Sequence, residues 1–192
     1  MITEIVVFSN YVINETHDNG VAILKEQDGC KRVFYGSQVE DPTTGYWVIE
    51  WDTIEKHKEF QASEGYKAFV EGGKDVGKVV KMLHVPLEPA DDYTGAFTAP
   101  VTEISLTTLK PGVEAKDFEA TVNIIYGAAK GTVDGSVSGK TVENEREYVL
   151  VYGWKSVQLH KDAISPPQAQ EILAVLYKQA DLDVKHATLK AA

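Results

Sequence analysis

A strand that runs straight into a helix occurs twice in this 192-residue chain, and the duplication restricts the possible folds more than any other feature. Residues 46–58 (YWVIEWDTIEKHK) and 148–161 (YVLVYGWKSVQLHK) each carry a tryptophan, five intervening residues and then His-Lys. Trp51 and Trp154 are 103 positions apart, as are His57 and His160, and His84 and His186 follow at a spacing of 102. Agreement among three residue pairs argues for a duplicated unit. A first unit is expected over residues 1–88, a linker over 89–100 and a second unit over 101–192.

In the first half, residues 3–10, 31–40, 46–51 and 78–85 are rich in β-branched and aromatic residues and read as strands. A short helix starting near Asn14 or Thr16 separates the first two, and a helical stripe over 54–70, broken near 63–65, separates the last two. The second half repeats the order, with strands over 102–109, 133–142, 147–154 and 183–189 and helices over 114–130, 156–163 and 167–179. Ser165 is the expected cap of the last helix. Residues 86–100 hold three prolines and no periodicity, which predicts an extended connection.

Several function classes are disfavoured by what the chain lacks. A net charge of −10 with no Lys/Arg run gives polyanions no basic face, so nucleic acid is not an expected partner. Cys30 is the only cysteine, which rules out an intrachain disulfide or a thiolate metal cluster. No apolar run approaches the roughly 18 residues a membrane span needs, and residues 1–5 lack the features of a secretion signal, so a cytoplasmic location without membrane contact is expected. The histidines show no His-x-His or His-x3-His spacing, and the glycine-rich stretches follow helices instead of preceding them. Neither a metal nor another cofactor is expected.

An antiparallel four-stranded sheet has two faces, and two helices cover only one. The bare face of each half must be buried, and packing sheet to sheet within one chain would achieve it. With this element order and the Trp-x5-His passage after a hairpin strand, the chain resembles the dimeric α+β barrel superfamily. Within it, the likeness is to antibiotic-biosynthesis-monooxygenase-like domains, whose βαββαβ units usually pair as homodimers. The resemblance implies an α+β fold of tandem ferredoxin-like βαββαβ units, packed sheet to sheet as an intramolecular dimeric α+β barrel. The assembly would be a monomer or a homodimer.

The resemblance also implies a small apolar pocket lined by the third strand. Cofactor-free monooxygenases of this kind use a tryptophan at the strand's end, an asparagine four residues earlier and a tyrosine or histidine six later. Trp51 and His57 match the second and third positions, as do Trp154 and His160, but the first position holds Trp47 in one half and Leu150 in the other. Strand alternation puts Trp47, Ile49 and Trp51 on one face, where they either line a pocket or fill a core. His57 has the ordinary pKa range of a general base near neutrality, and His84 lies on a strand face with Val80 and Met82. The expected catalytic residues are therefore His57 and His84. Trp47, Trp51, Tyr66, Trp154 and His160 are the expected substrate contacts, with Tyr35 a further phenolic candidate. Beside a purely structural or assembly role with filled cores, two functional classes fit: a cofactor-independent monooxygenase or cyclase acting on an aromatic or polyketide-like molecule, and a non-catalytic small-molecule binding or stress-related barrel protein. Both take a small hydrophobic or aromatic partner.

Overall fold

Strand β1 (Ile2–Ser9) is buried along almost its whole length, as expected of the segment ITEIVVFS at the centre of a sheet. The structure is a computed structural model that describes residues 1–86 and 94–192. Two units are distinguished: Met1–Ala90 together with Ala187–Ala192, and Asp91–His186.

In the first unit, β1 is followed by α1 (Glu15–Lys25), β2 (Cys30–Gln38), β3 (Gly45–Trp51), α2 (Ile54–Gln61), α3 (Glu64–Gly72) and β4 (Lys78–Val85). The hydrogen-bonded order is β4-β1-β3-β2, and the neighbours β1/β4, β1/β3 and β2/β3 all run antiparallel. Asn14 caps α1 by accepting from the His17 N–H, and Thr53 caps α2 by accepting from the Lys56 N–H. Gly20 inside α1 answers a packing need, because a Cβ there would stand 3.0 Å from the Trp47 ring. The helix-facing side chains of β1 and β3, among them Val6, Phe8, Trp47, Ile49 and Trp51, form one core with Leu24, Phe60 and Val76.

The second unit repeats the plan with β5 (Val101–Leu109), α5 (Ala115–Ala129), β6 (Gly135–Lys140), β7 (Glu147–Trp154), α6 (Val157–Ile164), α7 (Pro167–Gln179) and β8 (Ala180–Ala191), in the order β8-β5-β7-β6. Its core gathers Leu109, Phe118, Val122, Leu150, Tyr152, Trp154 and Leu176. The fold is mixed α+β, with antiparallel ferredoxin-like units of the dimeric α+β barrel type.

Three local expectations need correction. Of the expected extended linker, residues 87–93 lie outside the described residues, and Thr94–Thr98 form a short helix, α4. Glycines make this possible, since a Cβ on Gly95, Gly135 or Gly153 would collide with the backbone where α4 lies on β6 and β7. Ser165 does not cap α7. Its hydroxyl donates to the Lys161 carbonyl at the end of α6, while α7 starts at Pro167, where a missing N–H costs nothing. The last strand begins at Ala180 and runs to Ala191, longer than the 183–189 expected.

That length has a consequence. Residues 187–191 pair antiparallel with Phe34–Gln38 of β2, inside the first unit. The approach at Gly36 is close: a Cβ there would lie 1.9 Å from the Thr188 carbonyl oxygen. Gly36→Val is therefore expected to detach residues 187–191 from β2. Hydrogen exchange should show lost amide protection in 187–191 while β1 and β3 stay protected; unchanged protection would refute the steric argument.

Candidate active site

Glu4 is an acid on a buried strand, placed on the helix-covered face by the same alternation that puts Val6 and Phe8 there. It sits across from Ile49 on β3 and from His84 on β4. Its carboxylate Oε2 accepts from the Trp51 indole Nε1–H at 2.9 Å and lies 3.5 Å from His57 Nε2. His57, in the second turn of α2, shares a hydrogen bond from Nδ1 to His84 Nε2 at 2.8 Å. The Trp51 ring lies 5.0 Å from the His57 ring at an interplanar angle of 20°, holding it in a stacked orientation. Trp51, Glu4, His57 and His84 thus form one connected set, with Trp51 fully buried and His57 only 2 % exposed.

Burial makes protonation of His57 unfavourable, and the neighbouring His84 adds to this, so its pKa is pushed down to about 4. At neutral pH the imidazole carries no charge. His57 Nδ1 is engaged with His84, and Glu4 Oε2 stands beside Nε2, where a carboxylate would stabilise an imidazolium.

A cavity of about 240 Å³ reaches this set. Phe8, Trp47, Ile49, Phe60, Phe69 and Met82 supply most of its apolar wall, and Glu4, His57, Tyr66 and Lys74 are its polar or charged lining residues. Trp47 is held by a buried chain: its indole donates to the Tyr11 hydroxyl at 3.3 Å, and that hydroxyl bonds His17 Nε2 at 2.7 Å. Of the residues expected to bind substrate, Trp47 and Tyr66 line the cavity. Trp51 does not; it stands behind His57 and fixes it. His84 bonds His57 but is not part of the lining. Glu4 and His17 escaped the sequence reading. The signal for Glu4 was present, since Thr3-Glu4-Ile5 recurs as Thr102-Glu103-Ile104, an acid in the middle of each opening strand.

The second unit builds a related set. Trp154 Nε1–H donates to Glu103 Oε2 at 2.7 Å, His160 Nδ1 bonds His186 Nε2 at 2.8 Å, and the Trp154 and His160 rings stack at 4.9 Å and 21°. Burial raises the Glu103 carboxyl to about 7, against the opposing Trp154 hydrogen bond. Burial, His186 and Lys161 lower His160 to about 4. The chemical access differs. A cavity of about 220 Å³ in this unit touches Trp154 but neither Glu103 nor His160. Where the first unit has Ile49 opposite Glu4, the second has Tyr152 opposite Glu103, and its ring packs 5.2 Å from Tyr126 and 6.3 Å from Trp154. The larger side chain takes up room that the first unit leaves open.

Among the described residues the buried Tyr152 hydroxyl has no hydrogen-bond partner, and burial holds it far above the usual phenol range. Tyr152→Phe removes a desolvated group and keeps the ring, so it is expected to stabilise the protein by about 1 kcal/mol. A lowered urea midpoint would show that this hydroxyl is satisfied after all.

The first unit thus combines a ferredoxin-like α+β fold with a cavity that meets a buried set of Glu4 and His57. Residues 11–72 match the family model described as Antibiotic biosynthesis monooxygenase, which makes this part of the chain monooxygenase-like in sequence. Among solved structures, a Fusobacterium nucleatum protein named provisionally as a monooxygenase superposes with a TM-score of 0.70 at 13% identity, over 99% of this chain and 93% of the other. An anthrone oxidase-like protein gives 0.70 at 13% identity, over 100% and 93%. A Lactobacillus acidophilus protein, also provisionally named a monooxygenase, gives 0.62 at 14%, over 100% and 95%. At these identities the likeness is one of fold. A search of curated sequences gives no match. Among the described residues, no helix is long and apolar enough to cross a membrane.

Proposed function

We propose that the first unit binds a small aromatic molecule and acts on it as a cofactor-independent oxygenase, with His57 as general base. The observation that carries this reading is the cavity itself, whose walls are aromatic and aliphatic and which meets a buried histidine backed by a carboxylate and a second histidine. Its volume lies below the roughly 300–1,000 Å³ typical of drug-sized ligands, which favours a compact fused-ring or single-ring substrate. A base held near pKa 4 is unprotonated at neutral pH but weak, so the substrate must be acidic, such as a phenol, an enol or a methylene between aromatic carbonyl groups.

In the proposed reaction, His57 Nε2 takes a proton from the substrate, and Glu4 stabilises the imidazolium while Trp47 and Phe69 shield the substrate anion from water. The anion donates electrons to molecular oxygen and forms a carbon–oxygen bond, and the peroxide anion takes the proton back from His57 to give a hydroperoxide. Loss of water from the resulting hydroperoxide converts a methylene to a carbonyl, so that CH2 and O2 give C=O and H2O. Tyr66, which lines the cavity, is assigned to bond the substrate oxygen. His84 positions His57 by its hydrogen bond and is not itself in contact with the cavity.

The monooxygenase-like match over residues 11–72 supports the oxygenase reading, because it spans Trp47, Trp51, His57 and Tyr66. The absence of asparagine at position 47 favours the alternative of ligand binding without turnover. The two are separated by incubating the protein with a panel of anthrones, naphthols and hydroquinones under air and under nitrogen. Oxygen uptake with product formation, absent under nitrogen, is the expected result. Ligand retained in native mass spectrometry with no conversion under air would establish a binding protein instead.

A further inference from the structure

The second unit's Glu–His–His set has no role in the pocket chemistry proposed for the first, and the two cavities described in its unit are lined by none of its three residues. Its geometry suggests another use. We propose that Glu103, His160 and His186 bind one divalent transition-metal ion of the Zn2+ or Co2+ type.

The three residues come from β5, α6 and β8, and their donor atoms all lie within 4.8 Å of one another. One atom, His160 Nδ1, faces both partners: His186 Nε2 at 2.8 Å and Glu103 Oε2 at 3.4 Å. Donors about 2.1 Å from a common ion stand about 3.0 Å apart at right angles and about 3.4 Å apart in a tetrahedron. The histidine pair needs only to open by a few tenths of an ångström, and the carboxylate spacing already falls in this range. In the first unit the same residue types are arranged otherwise. There Glu4, His57 and His84 also bring donor atoms within 4.8 Å of one another, but His57 turns Nε2 to Glu4 and Nδ1 to His84, so its nearest contacts to the two partners use opposite nitrogens.

The surroundings of the second set support a ligand role. Trp154 donates to Glu103 Oε2 and stacks on His160, fixing both the carboxylate and the imidazole in the manner of groups that orient metal ligands. Glu103 and His186 are buried, while the His160 side chain is 11% exposed, leaving an approach for an ion. Two imidazoles and one carboxylate favour zinc, cobalt, nickel or ferrous iron over calcium and magnesium, which prefer oxygen shells. The donors are 57 and 26 residues apart in the chain, so they show none of the short His spacings by which a metal site is expected from sequence.

The test is a titration of the whole, chelator-treated protein with Co2+ followed by visible absorption, together with Zn2+ followed by calorimetry. The expected result is a saturable cobalt spectrum from one site per chain that Zn2+ displaces. Glu103→Gln retains an acceptor for Trp154, and His186→Ala removes one imidazole; each should weaken binding by about 100-fold or more, whereas His84→Ala should leave it unchanged. A protein that binds neither ion, or whose binding is untouched by Glu103→Gln, overturns the proposal. Should His186→Ala fail to fold, Glu103→Gln decides alone. The readout is metal binding without substrate, so failure of the oxygenase reading would leave this result intact.

Discussion

His57→Ala is expected to lower turnover of a true substrate by about 10²–10⁴-fold while the cavity still binds it, because the substitution removes the base and leaves the aromatic wall in place. Binding measured by ligand fluorescence or native mass spectrometry should persist in the variant, and a thermal unfolding scan establishes that it is folded. Full turnover in His57→Ala would remove His57 from the mechanism. The pH profile offers an independent check. An ordinary histidine base loses activity as pH falls through about 6.5. His57 is pushed down to about 4, so its active neutral form persists to lower pH, and the acid limb of the profile is expected near 4. A limb near 6.5 would show that the burial deduced for this ring does not hold during turnover.

The same shift has a stability consequence with a definite sign. Between about pH 6.5 and 4 the unfolded chain binds a proton at His57 that the folded chain does not. Its contribution is therefore fully present above the unfolded value, is lost as pH falls through this window, and amounts to about 3 kcal/mol at the most.

Trp51→Ala is expected to cost about 3–5 kcal/mol from the cavity it leaves in the first unit's core. A further about 1–3 kcal/mol follows from stripping Glu4 of its indole donor. Against a typical total of about 5–15 kcal/mol, that loss is enough to leave much of the population unfolded at physiological temperature. Trp51→Phe separates the two parts, since it retains most of the ring and removes only the N–H. Urea unfolding of both variants gives the comparison. If Trp51→Ala cost less than about 1 kcal/mol, the view of Trp51 as the support of Glu4 and His57 would fail. A pocket residue that merely touched substrate would alter binding and leave the unfolding midpoint alone.

The ferredoxin-like order, the helix that breaks near Ser63 and the repeated Trp-x5-His passage were all legible in the chain, because periodicity and capping are local properties that a stretch of sequence carries with it. His57 and Trp47 could be singled out for the same reason: strand alternation and one turn of helix fix where they point. The role of Ser165 was misread, since its hydroxyl can serve either the helix before it or the one after, and only the path of the chain through Pro166 and Pro167 selects the first.

What sequence by itself determined is thus the two-unit α+β plan and the strand-to-helix corner that carries Trp51 and His57. Tertiary structure alone decided that Glu4, 53 residues before His57, is the acid beside it, and that Ile49 leaves a cavity where Tyr152 closes one. Strand pairing brings together residues whose separation along the chain carries no local signal. Whether a buried face is filled or hollow depends on the summed volumes of side chains from several elements, which no single stretch contains.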